Sequence, residues 1–275
     1  MLIQDLVTPF AEFAAADPGA DLVSRWHAQV VEPYAGLYRA IEPWLDPADA
    51  PRSLPALVGR RAELPSRARR AGDAVRAAGE LLRGALPDAG RVDTVLLVGM
   101  GAANGWVTRV NGEPTLFLAV DQLPEPGFDV VLALHEMIHA EHQRRAAYDW
   151  PGSRFDADLF REGLAVSATT RLLPEIDGSG HLWFAAGRQG WIGRCRAAET
   201  ALRRRALADL TREDVSDLWF SGAADRDGEL PGRCGYWLGG DLVGRLTAGV
   251  PLETAMRWPL ADVSHRLRRV LERPG

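Results

Sequence analysis

His135-Glu136-Met137-Ile138-His139 brings two imidazoles and a carboxylate into one short run. On a helix, four residues advance about 400° and roughly 6 Å, so both histidines leave one face, one turn apart. Each can then turn a ring nitrogen onto one Zn2+ at about 2.0–2.1 Å. Glu136 stands about 100° round from His135. That keeps it off the metal but within reach of the water a metal would hold, where a general base belongs. The chemistry such a pattern can do is metal-assisted hydrolysis.

Two histidines do not complete a catalytic zinc site, which takes three protein ligands and an open fourth position. His142 shares the face of His135 but lies about 10.5 Å further along the axis, too far for three side chains on a straight helix to converge. The pattern that recruits a third histidine breaks its helix with glycine, as H-E-x-x-H-x-x-G-x-x-H. Here those two positions hold His142 and Arg145. His142 is therefore expected at the surface or behind the ligands. Glu162, in Phe160-Arg161-Glu162-Gly163-Leu164-Ala165, is the better candidate. Enough chain separates it from His139 for a loop and a return helix. Ala165 shares its face and is small enough to let that helix come close.

The elements that must position these groups are legible in outline. Residues 128–148 read as one long helix, with Asp129 as a plausible N-cap. Val130, Val131, Ala133, Leu134, Met137 and Ile138 make it apolar almost all round, the mark of a buried helix. Buried histidines and a buried glutamate need partners, and a metal supplies them. A second helix is expected over 158–173. Upstream, the runs 92–98, 106–110 and 113–121 are β-rich, and Asn111-Gly112 between the last two signals a hairpin. They predict a small three-stranded antiparallel sheet. Pro114, unable to donate to a ladder, hints that its strand is at an edge. The glycine-punctuated stretch 99–105 lacks the Lys-Ser/Thr of a phosphate cradle and precedes a strand, so a nucleotide site is not expected there. Residues 1–90 read as helical and broken by prolines. Within them, 60–83 is rich in Arg and Ala and reads as a solvated helix face. Further helices are expected at 194–209, 212–219, 235–249 and 262–272. The organisation expected is a helical region 1–90 followed by a domain 91–275.

Composition narrows the function. At 275 residues, 47% hydrophobic and 25% charged, the chain can build a core without staples. All 32 basic residues are Arg, which excludes lysine Schiff-base chemistry. Arg in place of Lys, with many Ala and Gly, matches a GC-rich bacterial genome. A net charge of −5 gives no electrostatic footprint for nucleic acid. Two cysteines, Cys195 and Cys234, suit thiols in a reducing compartment. The N-terminal stretch carries Asp5 and no basic segment, so no secretory signal is expected. No apolar run is long enough for a membrane span. A cytoplasmic location is the expectation; the oligomeric state is open.

His135-Glu136-x-x-His139 followed by Glu162-x-x-Ala165 resembles the gluzincin pattern of zinc peptidases. Over roughly residues 91–260, with the Glu162-Gly163-Leu164-Ala165 helix and the Gly235-Tyr236-Trp237-Leu238-Gly239 segment, the chain is similar to a bacterial family of predicted Zn-dependent proteases. Met137-Ile138 departs from the aromatic residue often found between the histidines of that family. The resemblance implies an α+β, mostly α, zincin-like fold, with a small antiparallel sheet beside the H-E-x-x-H helix and additional helices at both ends. It implies Zn2+ as cofactor and a peptide or protein as substrate. Glu136 would be the general base. An edge strand near Ala103, Asn104, Gly105 and Trp106 would pair with extended substrate. Tyr236 would donate to the oxyanion, a role suited to a neutral phenol, with His181, Tyr148 and Arg233 as competing donors. Two rivals remain: a zinc enzyme acting on a small molecule, hydrolytic or biosynthetic, and a non-catalytic binding protein on the same fold. The presence of Glu136 speaks against the second.

Overall fold

The computed structural model describes residues 1–16, 21–45, 50–146, 154–221 and 230–272. In chain order its strands and helices are β1 (Ile3–Asp5), α1 (Val7–Ala15), α2 (Leu22–Trp26), α3 (Ala35–Ile41), α4 (Ala50–Gly59), α5 (Leu64–Ala85), β2 (Asp93–Leu97), β3 (Gly105–Val110), β4 (Glu113–Ala119), α6 (Asp129–Arg145), α7 (Phe155–Leu172), α8 (Gly178–Trp183), α9 (Gln189–Ala197), α10 (Glu199–Asp209), α11 (Ser216–Phe220), α12 (Cys234–Leu246), α13 (Leu252–Met256) and α14 (Leu260–Leu271). The fold is mostly α, with one small sheet. Among the described residues no helix is long and apolar enough to cross a membrane.

The chain divides into two compact units, one of residues 1–83 and 88–140, the other of 84–87 and 141–275. The first unit takes in the N-terminal helices together with the sheet. The boundary at 140/141 lies inside α6.

In the first unit the sheet has four strands in the order β1-β2-β4-β3. The expected antiparallel three-strand arrangement is corrected on two counts. β2 pairs β4 in parallel, Asp93 to Thr115 through Leu97 to Ala119, so β4 lies between β2 and β3. β1, within the region read as helical, adds a further parallel strand, with Ile3 opposite Thr94. Buried residues in succession, Thr94–Leu97 in β2 and Pro114–Ala119 in β4, suit strands covered on both faces, as parallel strands usually are. The hairpin is where it was expected. Asn111 and Gly112 take φ of 52° and 87°, the left-handed pair that matches strand twist in a two-residue turn. Pro114 is not on an edge strand: β4 is central. Its missing N–H is tolerated because pairing with β2 begins only at Thr115.

The Arg-rich helix α5 is not only a solvated face. Arg70 pairs with Asp129 at 2.7 Å and donates to the carbonyl of Pro124 at 2.8 Å. Arg67 reaches the carbonyls of Val120 and Asp121, each at 3.4 Å. These contacts tie α5 to the segment that launches α6. Asp129 is the first residue of α6 and is nearly fully buried. Burial raises its pKa, and Arg70 opposes that rise.

The second unit is helical. Its centre is the pair α7 and α12, which approach until only glycine fits between them. A Cβ at Gly163 would sit 2.4 Å from the carbonyl oxygen of Gly239, and one at Gly239 would sit 2.8 Å from that of Leu159. Further along, Gly240 faces Val166 and Gly244 faces Ser167, so the two helices run side by side in the same direction. α7 is buried along most of its length, with Phe155 stacked on Trp219 at 4.7 Å and Phe160 on Trp258 at 5.7 Å between ring centroids. Asp209, 1% exposed at its side chain, takes Arg205 at 2.7 Å, Arg212 at 2.9 Å and the indole N–H of Trp219 at 3.2 Å. Burial alone would raise its pKa; the three donors outweigh burial and hold it below the usual carboxylate value. Cys195 and Cys234 are buried thiols.

Candidate metal centre

Helix α6 holds the sequence-predicted pair. His135 and His139 are both buried, and their rings stand at 85° with centroids 4.6 Å apart. Their Nε2 atoms are 3.0 Å apart. Two nitrogens bound to one tetrahedral zinc at about 2.05 Å would be about 3.3 Å apart, so the observed spacing needs only a slight opening to take the ion. Glu162 is buried near the middle of α7. One ligand atom from each of His135, His139 and Glu162 lies within 4.8 Å of the other two, the set among the described residues that could hold a metal ion. Two imidazoles and one carboxylate are a donor set that zinc accepts.

Arg161 was not singled out in the sequence. Its Nε donates to Glu162 Oε1 at 3.0 Å, and its Nη2 pairs with Asp158 Oδ1 at 3.0 Å. Burial works against its charge, but Glu162 and Asp158 outweigh burial and raise its pKa. Arg161 thus stays a cation beside Glu162. Burial also raises the pKa of Asp158, opposed by Arg161 and by a hydrogen bond from Ser216.

Glu136 is buried and lies against the start of strand β3. A Cβ at Gly105 would sit 3.0 Å from Glu136 Cγ, so the backbone of the edge strand passes directly over this side chain. β3 pairs β4 on one side and, among the described residues, has no strand on the other. Asn104 extends this edge, its carbonyl accepting from the Ala119 N–H at 3.0 Å. Ala103 is exposed. Trp106 turns the other way, buried and stacked on Phe117 at 5.8 Å and Trp44 at 6.5 Å. Its ring serves the core. The close approach at Gly105 had a signal in the sequence: a glycine opening a β-rich run often marks a place where another group comes near.

Tyr236 is half-buried in the first turn of α12. Its ring meets Phe220 edge-on at 5.2 Å, and the Arg233 guanidinium lies 4.5 Å above it. It lies close to Arg161, which sets it in the neighbourhood of Glu162. Of the competing donors, Arg233 is stacked between Tyr236 and Trp183, and His181 lines a cavity along α7 and α12. Tyr148 lies outside the described residues. His142, expected at the surface or behind the ligands, is buried with its ring against Phe160 at 5.6 Å. His27 and His265 are exposed. Compared with known protein families, with curated proteins and with solved structures, the chain matches none.

Proposed function

We propose that the chain is a zinc-dependent peptidase of the gluzincin type, built on a zincin-like fold. The observation that carries this reading is the packing of α6 against β3: two histidine Nε2 atoms 3.0 Å apart on the helix, with the intervening Glu136 under the backbone of an edge strand. His135, His139 and Glu162 would hold the metal. When bound, zinc supplies a Lewis acid that polarises a carbonyl and lowers the pKa of water. The remaining work falls to side chains of this chain. Glu136 takes the proton of the attacking water and returns it to the leaving amine. Arg161 orients Glu162 through its Nε hydrogen bond. Tyr236 donates to the developing oxyanion from the Glu162 side.

An extended peptide is the substrate class that best suits β3. Its outer edge offers main-chain groups to a strand laid alongside, and Gly105 brings that strand next to Glu136. A small-molecule substrate would have no use for that edge. The test is turnover of a peptide library by zinc-loaded wild type and Glu136→Gln protein. The variant is expected to lose about a hundredfold or more in kcat while keeping its zinc. Equal turnover by the two proteins would refute the base assignment. Inertness of zinc-loaded wild type toward every peptide would move the reading to a small-molecule substrate.

A further inference from the structure

Helices α7, α8 and α12 line an open cavity of about 450 Å³ that none of the candidate metal ligands, nor Glu136 or Tyr236, lines. Its volume is that of a small-molecule site rather than a packing defect. Its lining includes the buried His181 and Leu182, the half-buried Trp237 and Asp241, and the exposed Arg171.

The polar groups facing this space are incompletely used. His181 is 2% exposed, and neither of its ring nitrogens makes a hydrogen bond among the described residues. Burial pushes its pKa down; the carbonyls of Leu173 and Ile176 pull the other way from outside hydrogen-bonding geometry. A neutral imidazole presents one donor and one acceptor, and a buried polar group of this kind is ordinarily satisfied. Asp241 Oδ1 accepts from Arg245 at 3.0 Å, while among the described residues its buried Oδ2 has no partner. Arg171 bonds only neutral oxygens: Ser167 Oγ at 3.2 Å, Thr247 Oγ1 at 3.0 Å, and the carbonyls of Ser167 and Thr247 at 3.3 and 3.4 Å. Among the described residues no carboxylate pairs with it. One cavity therefore offers a cation lacking a counter-charge, a carboxylate oxygen lacking a donor, an unsatisfied imidazole and an aromatic wall.

We propose that this cavity binds a small zwitterion of amino-acid or dipeptide size. Arg171 takes its carboxylate, Asp241 Oδ2 takes its ammonium, His181 adds a hydrogen bond, and Trp237 with Leu182 covers an apolar side chain. The site is separate from the candidate metal centre and does not depend on it.

Three probes of one shape separate the contributions: L-phenylalanine, 3-phenylpropanoate without the ammonium, and phenethylamine without the carboxylate. Binding to the full chain is measured by titration calorimetry, with the His181 ring signals followed by NMR. L-Phenylalanine is expected to bind, to shift the His181 signals, and to exceed either half-probe by about tenfold or more. Zinc-loaded and chelator-treated protein are expected to bind it alike, which keeps this result independent of the peptidase reading. Arg171→Gln is expected to weaken binding by about tenfold or more. Because Arg171 also secures Thr247, a second variant fills the space instead. A Cβ at Gly244 meets only Ser167 Oγ, at 3.7 Å, and Gly244 lines the cavity, so Gly244→Leu is expected to fill that space and abolish binding. The proposal is overturned if L-phenylalanine does not bind, if either half-probe binds equally well, if Gly244→Leu binds like wild type, or if binding requires the metal.

Discussion

The two compact units hold their functional side chains by different means. In the first, α6 begins in an ionic clamp: Arg70 takes Asp129 at 2.7 Å and the Pro124 carbonyl at 2.8 Å, and α5 fixes the helix start through flexible side chains. In the second, α7 is fixed by backbone against backbone, with the Gly239 carbonyl 2.4 Å from where a Cβ of Gly163 would lie. The first arrangement can adjust to small changes by moving a side chain. The second has nothing to move but main chain. Glu162 stands next to Gly163, so its position inherits that rigidity, as a metal ligand requires.

This contrast can be broken or sharpened by substitution. Gly163→Ala should have the largest effect, destabilising by about 3 kcal/mol because backbone must shift to admit one methyl group. The midpoint of denaturant unfolding checks it; a midpoint within error of wild type would mean that α7 and α12 are not locked together as described. Asp209→Asn comes next, costing about 2 kcal/mol through loss of charge-assisted hydrogen bonds from Arg205 and Arg212.

The pH dependence distinguishes the two units further. Asp209 has a lowered pKa, so its contribution is present above the unfolded carboxylate value and is lost as pH falls through the lower folded value. Asp129 has a raised pKa, so the folded state holds its proton longer, and stability falls as pH rises from the unfolded value through the folded one. Unfolding midpoints across the acid range for Asp209→Asn and Asp129→Asn should therefore deviate from wild type with opposite slopes. Slopes of the same sign would break the comparison. Gly105→Ala is expected to be mildest in stability, about 1 kcal/mol, since Glu136 Cγ can move a few tenths of an ångström. Its effect should appear instead in turnover, with kcat down by about tenfold as the base is displaced.

What could be read from the sequence was what is local. The periodicity of 128–148 located α6, observed as Asp129–Arg145, and the reading of 158–173 located α7, observed as Phe155–Leu172. The Asn111-Gly112 turn was legible because two residues determine it. Strand order was not. Nothing in Ile3–Asp5 marks a strand until it lies beside β2, and the insertion of β4 between β2 and β3 is a choice of pairing that alternation patterns do not encode. Arg67 and Arg70 were read as solvated because their carbonyl partners lie more than fifty residues away. The candidate metal ligands on α6 followed from spacing within one helix. Glu162 was reached by chemistry and a short motif, while Arg161 beside it went unseen because an arginine next to a glutamate is ordinary in any sequence.

Zinc content decides whether His135, His139 and Glu162 are metal ligands. Wild type and Glu162→Ala protein, purified side by side and reconstituted with zinc, are to be measured by inductively coupled plasma mass spectrometry. The account predicts about one zinc per chain in wild type and a sharp loss in the variant, because three protein ligands are the complement of a catalytic site. Absence of zinc from wild type, or its full retention by Glu162→Ala, would contradict it.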